Sequence, residues 1–92
     1  MIVRIMGEGQ VELDDVHFAE LDRLDDELLA EIEGGDHDGF RRTRTALLDA
    51  VRRLGKPVPD DALQPSELIL PGPDATFEEV REMLSDYGLI PG

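Results

Sequence analysis

Between residues 18 and 54 apolar side chains recur at steps of three and four, and the pattern breaks only once, at Gly34-Gly35-Asp36. Phe18, Leu21, Leu24, Leu28 and Ile32 make one stripe, and Phe40, Leu47, Val51 and Leu54 make the next. A period near 3.6 with a single dry face means a helix packed on something, so the chain must bury two such stripes together. Asp14 and Asp15 supply an N-terminal cap for the first helix, because a carboxylate accepts the orphan N–H groups and suits the positive dipole end. Gly34-Gly35 stops it, Asp36 caps the second, and Gly55 with Pro57 ends that one. Helices joined by so short a link run antiparallel, which makes an αα-hairpin the expected centre of the fold.

The flanks add strands. Residues 1–6 (MIVRIM) are β-branched and apolar, with Arg4 their one charge. Gly7-Glu8-Gly9 has turn chemistry, and Val11 and Leu13 alternate with Gln10 and Glu12, so a hairpin opens the chain. Residues 55–66 (GKPVPDDALQPS) read as a connector carrying three prolines. Leu68-Ile69-Leu70, bounded by Pro65 and Pro71, is long enough for a third strand beside the hairpin. A last helix is announced by Thr76 with Glu79 three residues on, a reciprocal capping box. Phe77, Val80, Met83 and Leu84 form its inner face, and Gly88-Leu89 is a Schellman stop. The expected architecture is α+β, one domain over residues 1–92: a three-stranded sheet, an αα-hairpin and a C-terminal helix.

The 92 residues include 22 acids and nine bases, giving a net charge of -13, and no cysteine. Without cysteine there is no disulfide, thiolate zinc site or thiol nucleophile. A strongly acidic surface repels phosphate backbones and anionic lipid, so neither nucleic acid binding nor direct membrane insertion is expected. No run reaches a membrane span, and MIVRIMGEGQ lacks a signal-peptide pattern, so a cytoplasmic setting is expected. Lys56 is the sole lysine beside eight arginines. High acidity with little lysine suits concentrated salt, where self-repulsion is screened; a GC-rich genome trades lysine for arginine as well, and both explanations stand.

No catalytic, metal or cofactor site is expected. Asp36-His37-Asp38 sets a histidine between two carboxylates, but within a helix cap and without a second histidine cluster. His17 reads as a surface or part-packed residue. Ser66 and Ser85 lack a nucleophile elbow. Gly7-Glu8-Gly9 precedes a strand, so it cannot cradle phosphate at a helix start. A carboxylate enzyme would need acids converging in a pocket, whereas these are spread over helix faces: Asp22, Asp26 and Glu33 on one flank, Glu20, Glu27 and Glu31 on the other. A transcriptional regulator would need a basic recognition helix, and only the second helix, with Arg41, Arg42, Arg44, Arg52 and Arg53, comes near. The economical reading is that acidic and basic flanks neutralise across the hairpin. Arginines pointing away, namely Arg42, Arg52 and Arg53, would instead offer a basic strip to an acidic partner helix.

Three stretches taken together, MIVRIMGEGQVEL, LDRLDDELLAEIEGGD and PSELILPGPDATFEEVREMLSDYGLIPG, resemble the PspA-associated family, PspAA, over essentially the whole chain. The resemblance implies a non-enzymatic accessory role beside a PspA-type phage-shock protein, a coiled-coil assembly acting in the membrane-stress response. It implies no cofactor and no catalytic residue. It places the protein in the cytoplasm, recruited to the inner face of the membrane through that partner. Self-association stays open, since symmetric dimers are the commonest oligomers.

Overall fold

The computed structural model describes residues 1–62, 64–84 and 89. Strands β1 (Ile2–Ile5) and β2 (Gly9–Glu12) pair antiparallel around a turn in which Gly7 and Gly9 take φ of 85° and 108°. That left-handed backbone is what the two glycines are there to supply. Helices α1 (Phe18–Gly34) and α2 (His37–Leu54) form the hairpin, and Gly35 at φ 71° closes α1 as a C′ glycine should. The Asp36 carboxylate accepts from Gly39 N at 3.0 Å and starts α2.

Among the described residues the sheet has four strands rather than three, in the order β3-β2-β1-β4. Two residues of the expected connector, Lys56–Pro57, form β3 against Val11 and Glu12. Pro57 lacks an N–H and Lys56 is charged, so this edge is blunted against further pairing. No apolar alternation marks so short a strand, which is why the composition reads as connector. β4 (Leu68–Leu70) lies on the other side of β1 and runs parallel to it. The intervening chain therefore crosses from one edge of the sheet to the other. The hairpin occupies one face, so the crossing uses the opposite one.

Val3, Ile5, Leu13, Leu68 and Leu70 meet Leu21, Leu24, Leu28 and Ile32 of α1 and Phe40, Leu47, Leu48 and Val51 of α2 in one buried cluster. Helix α3 (Phe77–Met83) adds Phe77 and Val80, and its capping box is formed as expected, with Thr76 and Glu79 bonding each other's backbone N–H. Leu84 is already extended, so α3 ends there; the stop expected at Gly88 lies outside the described residues.

Phe18 is a second correction. It is 42% exposed, because it stands at the very start of α1, after a 3-10 turn over Asp15–His17 that Asp14 caps, and the stripe is buried only from Leu21 onward. Gly55 ends α2 in extended backbone rather than the left-handed form. Its missing side chain matters for another reason: a Cβ there would stand 2.8 Å from Val51 O and 2.9 Å from the Val11 Cβ.

Candidate functional site

The candidate contact residues all lie on α2, and the structure treats them differently. Arg52 is committed. Its guanidinium grips the Glu8 carboxylate in the β1–β2 turn through two donors and also reaches Asp49 at 3.1 Å. The hydrogen bond from Arg52 holds Glu8 below the usual carboxylate range, and the same contact raises Arg52. Arg53 lies 3.6 Å from Glu20, an exposed pair across the hairpin. Arg42 is exposed and has no ion pair among the described residues. At 100° per residue Arg42 and Arg53 share one outer face, about 16 Å apart along the axis, with Thr45, Ala46 and Asp49 between them.

Neutralisation across the hairpin is thus limited to Arg53 and Glu20 among the described residues. Two further pairs are local to one helix, Arg23 with Glu27 and Arg41 with Asp38, because residues three or four apart on one helix are nearer than residues on its neighbour. Arg44 is a staple: its Nη1 donates to Ala75 O at 2.5 Å while the guanidinium lies 5.2 Å from the Phe40 ring centre. It joins α2 to the loop that delivers Thr76 to its cap.

Asp36, His37 and Asp38 each serve local structure. Asp36 caps α2, Asp38 pairs with Arg41, and the His37 ring stacks on Phe77 at 4.1 Å. His17 is half-buried and lines a cleft with Met1, Leu13 and Leu54. Ser66 accepts from the Gln10 side chain at 2.8 Å, and Ser85 lies outside the described residues. Among the described residues no three His, Asp or Glu side chains converge to hold a metal ion, and no helix is long and apolar enough to cross a membrane.

Two polar residues that matter were not legible as such. Gln10, 5% exposed, donates to Gln64 O at 2.5 Å and to Ser66 Oγ, and accepts from Gln64 N at 3.2 Å. It pins the crossing chain where β4 begins. Asp25 is 1% exposed and its Oδ1 accepts from Leu89 N at 2.9 Å, tying α1 to the C-terminal segment. The signal was available for Asp25, which stands four residues after Leu21 and three before Leu28, inside the apolar stripe.

The fold is α+β, a short mixed sheet with a charged helical pair packed on one face. The chain belongs to the PspA-associated protein family, PspAA, whose pattern matches residues 1–92. No curated protein and no solved structure matches it.

Proposed function

We propose that the protein is a non-enzymatic adaptor that docks on a PspA-type membrane-stress protein and modulates it. The observation that carries this reading is membership of the PspA-associated family over the full chain. The outer face of α2 suits such a role, since Arg42 and Arg53 present two cations, spaced by three turns of helix, to an acidic helix laid alongside. Arg52 is taken up by Glu8 and Asp49, which leaves the strip to Arg42 and Arg53. A coiled-coil partner recruits the complex to the inner face of the membrane, and the adaptor needs no lipid contact of its own.

The test is co-purification with the PspA-type protein of the same host, in molar KCl and at low salt. A stoichiometric complex supports the reading, and Arg42→Glu with Arg53→Glu weakens it while the melting temperature stays nearly unchanged. Absence of a complex in both salts refutes the adaptor role. A complex indifferent to both reversals refutes the basic strip.

A further inference from the structure

The face of the sheet turned away from the hairpin is covered over only one half. Residues opposite one another in a sheet share a face, so Ile2, Arg4 and Met6 stand with Gln10, Glu12 and Ile69 on that side. Where the crossing chain is pinned to Gln10, Ile2 and Gln10 are buried. Beyond it the sheet is bare: Met6 is 52% and Ile69 47% exposed. Met83, 40% exposed, lines a cleft of about 370 Å³ with Ile69, Leu68, Ser66, Glu67 and Leu89. Three of the five large apolar side chains exposed among the described residues therefore gather around β4. Scattered singly they would be ordinary surface; gathered, they mark a contact.

Arg4 stands in the middle of this patch, directly opposite Ile69 in the register and half-buried. Arg23, Arg41, Arg52 and Arg53 each have a carboxylate within 4 Å. Among the described residues Arg4, Arg42, Arg44 and Arg81 have none, but Arg42 and Arg81 are exposed to water and Arg44 is bound to Ala75 O, which leaves Arg4 as the half-buried cation without a partner. A guanidinium partly withdrawn from water between bare apolar side chains is matched by a ligand that brings apolar surface and a carboxylate together. Strand addition suits the site poorly, because β4 is only three residues long with Pro71 directly after it, and Leu70 turns its backbone to Met6, which leaves Ile69 alone to offer an edge. A helix does suit it, since side chains three and four apart on one face present both kinds of group at once.

We propose that the bare half of the sheet docks an amphipathic helix of the PspA-type partner, with apolar residues on Met6, Ile69 and Met83 and a carboxylate on Arg4. The partner's identity rests on the function proposed above; the surface is new and lies on the far side of the sheet from α2. The adaptor then has two separable contact faces, one charged and one mainly apolar.

The experiment is a titration of the full chain and its variants with the PspA-type protein, together with amide shift mapping of the labelled chain. Arg4→Glu, and separately Met6→Thr combined with Ile69→Thr, weaken the complex by about tenfold or more, roughly what two lost apolar contacts or one reversed pair account for. Arg4→Gln gives a smaller loss and controls for folding, and the shifts centre on Arg4, Met6 and Ile69. Wild-type affinity in all these variants, or shifts confined to Arg42 and Arg53, overturns the sheet surface and leaves the adaptor role standing. No complex with the wild-type chain overturns both.

Discussion

Replacing Gln10 should loosen the start of β4 more than any surface substitution. The side chain makes three hydrogen bonds to Gln64 and Ser66 from a site only 5% exposed. A typical net contribution is about 0.5–1.5 kcal/mol per bond. Gln64 is exposed and recovers water when its partner is lost, which puts the sum nearer the low end, at about 2 kcal/mol. Gln10→Leu keeps most of the volume, so the polar loss is read without a large cavity. In a domain of this size 1 kcal/mol moves the melting temperature by roughly 4–8 °C, so the expected drop is about 8–16 °C. Thermal unfolding followed by far-UV circular dichroism measures it. Pairing the change with Ser66→Ala in a double-mutant cycle isolates the 2.8 Å bond, with an expected coupling of about 1 kcal/mol. A loss below about 0.5 kcal/mol for Gln10→Leu, or a coupling of zero, would refute the claim that this amide holds the crossing chain.

Three further outcomes follow from the same structure. Gly55→Ala, whose Cβ would stand 2.8 Å from Val51 O and 2.9 Å from the Val11 Cβ and Cγ2, should cost about 1–3 kcal/mol in chemical denaturation, and Val11→Ala, which removes Cγ2, should recover part of it. Glu8→Gln should lower stability at neutral pH by about 0.2–1 kcal/mol, the scale of an exposed pair. Because Arg52 lowers the folded-state value of Glu8, that difference is present above the usual value of 4.5 and fades as pH falls through the lowered one; a gap that persists in acid contradicts the pairing. With a net charge of -13 the melting temperature should climb from low to molar KCl, as the screening length falls to about 3 Å, and a flat profile over that range refutes a salt-adapted surface.

The helical hairpin, its caps and the capping box of the last helix were legible because each depends on neighbours in sequence. Asp36 needs only Gly39, and Thr76 needs only Glu79, whatever the rest of the chain does. The family, too, was legible from residue pattern, and membership holds over the whole chain. Tertiary structure alone decided the rest. Lys56–Pro57 becomes a strand only because Val11 and Glu12 are there to pair with it. Arg52 is drawn to Glu8, 44 residues away, and the register puts Arg4 opposite Gln10 and Ile69, with no carboxylate within 4 Å among the described residues. Local rules determine where helices start and stop, since a helix closes its hydrogen bonds within four residues. Which face stays bare, and which charge stays unmatched, is set by pairings across the sheet that no local pattern records.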